Sequence, residues 1–453
     1  MRRVLFLAYY FPPLGGAGVQ RTVKFARYLP EFGYEPVVVT GPASTSLAWS
    51  PADGTFQREI PAEIEVHRIN TPEPPRSSGW RRRSERWLRR PSSFTRWWVE
   101  GAIALGRDVA KNTDMVYASM SPFESAEAAA AIARDLGRPW IADLRDPWAL
   151  DEWLIYPTGL HRRLELRRMR AALRSASAIV MNTSEAEREL RRRFPELGTK
   201  VFVIPNGYDS ADFEGISAPR EDRSFRIVYT GYVHTQAGRR HQRMRLARRL
   251  VGGSVRGLTV LSRSAVYLLE AVDELLESRP ELRSRLEVHL GGVGSDEDHE
   301  TVASEVVRVH GYLPHEEAVE LIRSADLLFL PMHDLPAGVR SLGVPGKTYE
   351  YLASGRPILA AVPDGDAREL LARAGTAMIC RPTDIRCMRS VIEAGIERVL
   401  AGRRGPVVRP DVLRGFERRE LAGRLADLFE NVSAATAATA DRPGESQKSA
   451  LSR

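Results

Sequence analysis

Short apolar runs alternate with stretches of helical apolar spacing along nearly the whole chain, and they do so in two series. The first comprises RRVLFLAYY (2–10), EPVVVTG (35–41), MVYASM (115–120), PWIADL (139–144) and AIVMNT (178–183). Between them lie segments such as VQRTVKFARYLPEFG and SAEAAAAIARDLG, with apolar residues at helical spacing. A short unbroken apolar run suits a strand covered on both faces, and the intervening helices supply the cover. The pattern predicts βαβ units and a parallel sheet. A second series begins near residue 224, with FRIVYTG (225–231), RLEVHLGG (285–292), LLFLPM (327–332) and RPILAAV (356–362). The simplest architecture is α/β, with two doubly wound Rossmann-like domains, the first over 1–205 and the second over 206–408. Segment 409–432 reads as a C-terminal helix packing back towards the first domain, and 433–453 as a disordered low-complexity tail. Residues 235–262 read as an insertion, because strand-to-helix connections usually take only about 2–6 residues.

Charge and cysteine usage narrow the function classes. The 453 residues include 66 basic and 58 acidic side chains, and a net charge of +8 is too small at this length to indicate a nucleic-acid partner. All but five of the basic residues are arginine, so an arginine cluster alone says little. Two cysteines, Cys380 and Cys387, exclude a disulfide framework and suit a reducing compartment. Without a matching His/Cys pair they do not make a zinc site. No apolar run approaches the roughly 20 residues of a membrane span. The start, MRRVLFLAYYFPP, imitates a signal peptide but ends at Pro12 and Pro13 without a small-residue cleavage site. A buried first strand of a cytoplasmic enzyme is expected.

Two glycine-bearing segments carry chemistry. Leu14-Gly15-Gly16-Ala17-Gly18 lies between the first strand and a helix, where backbone amides can face a phosphate or sugar; the alternative is a turn that merely packs closely. A dinucleotide fingerprint fails, because its third glycine would fall at Arg21 and the second strand ends in Thr40 rather than an acid. The second segment is Val344-Pro345-Gly346-Lys347-Thr348-Tyr349-Glu350, followed by a helix stop at Gly355 and Pro357. Lys347 and Glu350, three apart, share a helix face. A cation and helix-start amides would neutralise a diphosphate, and Glu350 would accept hydrogen bonds from a ribose diol; the alternative is a surface ion pair. Asp364-Gly365-Asp366 matches a D-x-D pair, but a polar loop is expected there and no metal site is assigned; Asp366 instead suits a helix cap. Among scattered histidines, His234 follows the IVYTGY strand, facing the cleft or lying in an ordinary polar loop.

With these segments in order, the chain resembles the retaining family-4 glycosyltransferases of the GT-B fold, in the bacterial cell-surface polysaccharide group. The resemblance runs from YYFPPLGGAGVQR through PWIADLRDPW, AIVMNTSEAE, VIPNGYDSADF, IVYTGY, VHGYLPHEEAVELIRSADLLFLP and PGKTYEYLASGRPILA. It implies two domains facing across a cleft, the acceptor on the first and a nucleotide-diphosphate sugar, UDP-sugar favoured, on the second. Gly15 and Gly16 would lie beside the donor diphosphate. Arg145-Asp146 falls where relatives carry a His-Asp pair, with Asp146 orienting the acceptor hydroxyl. Asn206-Gly207 would lead into the second domain. Gly311, Tyr312 and Leu313 would read the base, Pro345 and Gly346 would open the donor helix, and Glu350 would hold the ribose. Lys347 and Arg263 would supply the charge of the family's Arg and Lys pair, although Arg263 also reads as one surface arginine among many. Where many relatives have a sugar-touching glutamate, this chain has Leu342. Retention and metal-independent transfer to a glycan or polyprenyl-linked acceptor are implied. A sugar-nucleotide epimerase and a non-catalytic scaffold on the same fold are the other readings.

Residues 80–98, WRRRSERWLRRPSSFTRWW, interleave seven arginines with four tryptophans. Tryptophan favours the bilayer interface and arginine anionic headgroups, so a patch facing the inner surface of the cell membrane is expected; the alternative is solvated helices. Two further arginine-rich stretches, 161–174 and 239–250, read as solvated helices.

Overall fold

Val4, Leu5, Phe6 and Leu7 are all fully buried, and they point alternately into two different cores. Their strand, β1 (Arg2–Ala8), therefore runs through the middle of a sheet covered on both faces. The computed structural model describes residues 1–45, 50–215, 224–232, 234–244, 251–292, 305–403, 405 and 408–440. β2 (Tyr34–Thr40), β3 (Glu65–Arg68), β4 (Met115–Met120), β5 (Trp140–Leu144), β6 (Ala178–Met181) and β7 (Val201–Val203) complete the first sheet, ordered β3-β2-β1-β4-β5-β6-β7. All its pairs are parallel, with Phe6 opposite Val38 on one side and Tyr117 on the other.

The second sheet repeats the plan. It contains β8 (Phe225–Thr230), β9 (Leu286–Gly291), β10 (Val307–Gly311), β11 (Leu327–Pro331), β12 (Ile358–Ala361) and β13 (Ala377–Cys380), ordered β10-β9-β8-β11-β12-β13 and again parallel. In each sheet the chain reverses its direction of travel beside the first strand, between β1 and β4 and between β8 and β11. Such reversal points leave a crevice at the C-terminal ends of the strands, the usual place for a ligand. The loops leaving β2 and β5 meet those leaving β10 and β11, so the two crevices face one another.

Helix Arg418–Ala440 returns to the first domain and buries Leu421, Leu425 and Phe429 among Phe6, Phe25 and Tyr34. It runs past the expected start of the disordered tail: Ser433 Oγ donates to the Phe429 carbonyl at 2.9 Å and Thr436 Oγ1 to that of Val432 at 2.8 Å. Helical spacing of apolar residues carries it through a stretch that composition alone read as unstructured. The remainder of that tail, 441–453, lies outside the described residues. Cys380 and Cys387 are joined by a disulfide, which the count of two cysteines had set aside. Cys380 ends β13 and Cys387 lies in the first turn of helix Ile385–Leu400, so the strand-to-helix connection brings them together.

The segment read as an insertion, 235–262, packs against the first domain. Helix Thr235–Arg243 follows β8, and Leu258 and Val260 form a small apolar cluster with Leu335 and with Trp153 and Ile155 of the first domain. Tyr156 N donates to the Gly253 carbonyl at 2.8 Å, a further contact across the cleft. Residues 245–250 lie outside the described residues.

The 80–98 segment divides in two. Trp97 and Trp98 lie on helix Ser93–Val109, where Trp98 is fully buried and Trp97 packs beside the same core. Helix Gly79–Leu88 has no buried residue, and its Trp80 and Trp87 are 81% and 57% exposed. Only 79–90 remains as a surface patch, so the sequence patch was drawn too long.

Candidate functional site

The cleft side of the second domain is built on glycines. Gly231, just beyond β8, has φ +126 and a missing side chain whose space is taken by the Lys347 ammonium. That ammonium also stands 3.9 Å from the centre of the Tyr229 ring. Among the described residues it makes no ion pair. Burial and the nearby Arg263 push its pKa down to about 7, against a smaller upward pull from Glu350.

Arg263 follows the insertion. Its guanidinium lies 4.4 Å from the Trp153 ring centre, and Nη1 is 3.4 Å from His333 Nδ1. Burial lowers its pKa, while the charges of Asp151, Glu152 and Asp146 pull the other way. His234 is kept neutral by burial and by Arg263, Lys347 and His333, and its ring meets Trp153 edge-on at 5.5 Å. Two cations that repel each other are thus held together in an enclosed space. Such a pair suits a doubly charged anion, whose arrival relieves the repulsion.

Glu350 sits on the seven-residue helix Lys347–Ala353, preceded by Pro345 and Gly346. It accepts from Gln20 Nε2 at 3.0 Å, and the same amide lies 3.3 Å from His315 Nδ1. His315 Nε2 in turn meets Asp212 at 2.9 Å. Burial pulls the His315 pKa down, but the Asp212 bond and the charges of Glu350 and Asp212 outweigh it and leave the pKa raised. Beyond His315 the gap between the domains widens into a cavity of about 480 Å³, walled by Arg27, Arg58, Glu59, Asp212 and Arg323.

The loop Gly311-Tyr312-Leu313 leaves β10, with Gly311 at φ +71. Tyr312 OH crosses to the first domain and donates to Asp53 at 2.8 Å. There it presses on Gly15, where any side chain would collide with Tyr312 and Asp53. Gly15 N donates to the Pro51 carbonyl at 2.6 Å, so its amide is engaged within the loop. Gly16, at φ +90, caps helix Ala17–Tyr28. The first glycine turn thus provides close approach between domains. Leu313 packs over Gly291 at the end of β9.

Arg145 and Asp146 leave β5 as expected. Arg145 donates to the Gly18 carbonyl and lies 5.2 Å from the Tyr10 ring centre, tying the glycine turn to β5. Asp146 is 57% exposed, with Oδ2 3.8 Å from Arg145 Nε. The loop then passes through Trp148, a non-glycine residue at φ +48 stacked on Phe123 at 5.0 Å. Backbone strain of this kind gathers at functional loops. Asp366 does not cap its own helix: its Oδ2 accepts from Glu185 N at 2.8 Å, at the start of a first-domain helix. Asp364 stays at the surface. Among the described residues no group of three or more His, Cys, Asp or Glu is arranged to hold a metal ion.

Sequence reasoning missed Glu152 and His333. Both lie in loops at the C-terminal ends of strands, β5 and β11, which is the one signal that pointed to them. Glu152 Oε1 accepts from His333 Nε2 at 2.9 Å, Ser341 Oγ at 2.6 Å and Leu342 N at 3.1 Å, so a first-domain carboxylate is bound by the second domain. Leu342 itself packs into the first domain's core, and its carbonyl accepts from Thr183 Oγ1 at 2.5 Å.

Family models account for both halves. Residues 15–207 match the glycosyl transferase 4-like domain, and residues 257–398 match glycosyl transferases group 1. No curated protein matches the chain. Among solved structures it is similar to Anabaena Alr3699/HepE in complex with UDP-glucose, at 15% identity and TM-score 0.57 over 97% of this chain and 99% of that one. It is also similar to the lipopolysaccharide outer core galactosyltransferase WaaB, at 11% identity and TM-score 0.53 over 95% and 100%. The Methanocaldococcus jannaschii UDP-GlcNAc 2-epimerase is a further neighbour, at 11% identity and TM-score 0.52 over 95% and 100%. At such identities the structural likeness speaks for the fold, and the two domain models speak for the activity: this chain is a glycosyltransferase of the GT-B fold.

Proposed function

We propose that the protein moves a sugar from a nucleotide-diphosphate sugar, a UDP-sugar by preference, to a cell-envelope glycan or lipid-linked acceptor, with retention of configuration and without a metal ion. The observation that carries this reading is the pair Arg263 and Lys347, enclosed together in the interdomain cleft and repelling one another. Fixed cations of this kind stabilise a departing diphosphate without reorganisation. Glu350 receives the ribose and the Gly311–Leu313 loop the base. In the reaction the acceptor oxygen bonds to the anomeric carbon on the face from which the phosphate oxygen departs. That phosphate takes the acceptor proton, and Asp146 orients the acceptor hydroxyl. The resemblance to relatives and the bound UDP-glucose of the Anabaena structure support the choice of donor.

An acceptor carried by a lipid needs the enzyme at a membrane surface, on the cytoplasmic face. No described helix is long and apolar enough to cross a membrane. Helix Gly79–Leu88 offers a peripheral contact, because exposed Trp80, Trp87 and Leu88 stand among exposed arginines.

Thermal shift in excess chelator tests the donor reading. UDP and UDP-glucose should raise the melting temperature by mass action, and uridine, lacking the diphosphate, should not. Equal shifts with uridine and UDP would remove the diphosphate from the account. Conversion of UDP-GlcNAc in the absence of any acceptor would instead favour the epimerase reading.

A further inference from the structure

Glu152 is 6% exposed and uses its two oxygens unequally. Oε1 accepts three hydrogen bonds, all from the second domain, whereas Oε2 is buried without a partner among the described residues. Burial raises the cost of keeping the carboxylate charged, but the His333 and Ser341 bonds outweigh it and leave the pKa lowered, so an ionised acceptor stands there. An orphaned charged oxygen inside a protein carries a desolvation penalty that a hydrogen-bond donor would remove. Its position connects it to the donor. His333 joins Glu152 through Nε2 and Arg263 through Nδ1, so one imidazole separates this carboxylate from the cation assigned to the diphosphate. With burial keeping His333 neutral, Nε2 carries the proton and donates to Glu152, while Nδ1 receives from Arg263. Burial and the charges of Glu152 and Asp146 raise the pKa of neighbouring Asp151 well above the usual carboxylate value.

We propose that Glu152 reads the transferred sugar, its free Oε2 accepting a hydrogen bond from a sugar hydroxyl. The acceptor-side domain would then supply a donor-specificity residue, and only in the closed arrangement in which Ser341, Leu342 and His333 hold it. This inference rests on the donor reading above and refines it. The competing explanation is that Glu152 only latches the two domains together.

Glu152→Gln separates the two. The glutamine oxygen can keep the three bonds made by Oε1, while its amide nitrogen cannot accept at the position of Oε2. Calorimetric titration of the full chain with UDP-glucose and with UDP should show UDP-glucose affinity falling at least tenfold and UDP affinity changing less than threefold. Equal loss for both, or no loss for either, overturns the inference in favour of a latch. Failure of wild-type protein to bind UDP would instead overturn the donor reading itself. A second measurement holds if the variant folds poorly. Wild-type protein should lose about tenfold in affinity for one of the singly deoxygenated UDP-glucose analogues, because the site's acceptor is then left unpaired. Indifference to every deoxygenated analogue also overturns the inference.

Discussion

The Lys347 ammonium stands 3.9 Å from the Tyr229 ring centre, in space that exists because residue 231 has no side chain. Gly231→Ala should therefore push Lys347 out of position and strain a backbone at φ +126. Loss of one charge-assisted contact, about 1.5–3 kcal/mol, should weaken UDP binding roughly 10–100-fold. Titration of the folded variant with UDP checks this, and unchanged affinity would detach Lys347 from the diphosphate.

Lys347 also sets a pH dependence. Its pKa of about 7 in the free protein means that part of the population is uncharged at neutral pH. A bound diphosphate favours the charged ammonium and raises that pKa, so binding takes up a proton. UDP affinity should then fall as pH rises from 7 towards 9, by at most about tenfold per unit. Lys347→Arg should flatten the profile, because a guanidinium stays charged throughout. A flat wild-type profile would count against the shifted lysine.

Arg21, 2% exposed, meets Asp143 through two bonds of 2.8 and 2.9 Å and donates to the carbonyls of Pro205 and Ile204 at 2.7 and 3.0 Å. The pair pins helix Ala17–Tyr28 to β5 and to the segment leaving the first domain. Arg21→Met should leave a buried carboxylate unpaired and lower stability by about 3–5 kcal/mol. Denaturant unfolding followed by tryptophan fluorescence reads this out, and a loss below about 1 kcal/mol would refute it.

Membrane contact should depend on Trp80 and Trp87 rather than on Trp97 and Trp98, which belong to the core side of the neighbouring helix. Co-sedimentation with anionic vesicles should fall steeply with salt, since each surface arginine contributes on the order of 1 kcal/mol. Trp80→Ala with Trp87→Ala should reduce binding further and leave the fold intact. Equal, negligible binding to neutral and anionic vesicles would assign helix Gly79–Leu88 another role.

What could be read from the sequence followed burial. The inner strands β1, β2, β4, β5, β6, β8, β9, β11 and β12 are covered on both faces and announce themselves as apolar runs. The strands that were missed, β3, β7, β10 and β13, are the four sheet edges. EVHR and VRVHG mix polar and apolar residues because an edge is only half covered. Lys347, Glu350, Arg263 and Tyr312, singled out by the order of their motifs, all lie near residues of the first domain or of one another. Glu152 and His333 were not singled out, because their contact joins residues 181 apart that only the meeting of two domains brings together. Leu342 was read as a lost sugar contact, yet its side chain anchors that meeting.

The central claim is that Arg263 and Lys347 hold the donor diphosphate while Glu350 holds its ribose. Calorimetric titration of UDP into wild type, Arg263→Ala, Lys347→Ala and Glu350→Ala, all in excess chelator, tests it most directly. Wild type should bind without metal, and each variant should lose about 1–3 kcal/mol with its fold intact. Wild-type affinity in all three variants, or binding that appears only when manganese or magnesium is restored, would contradict it.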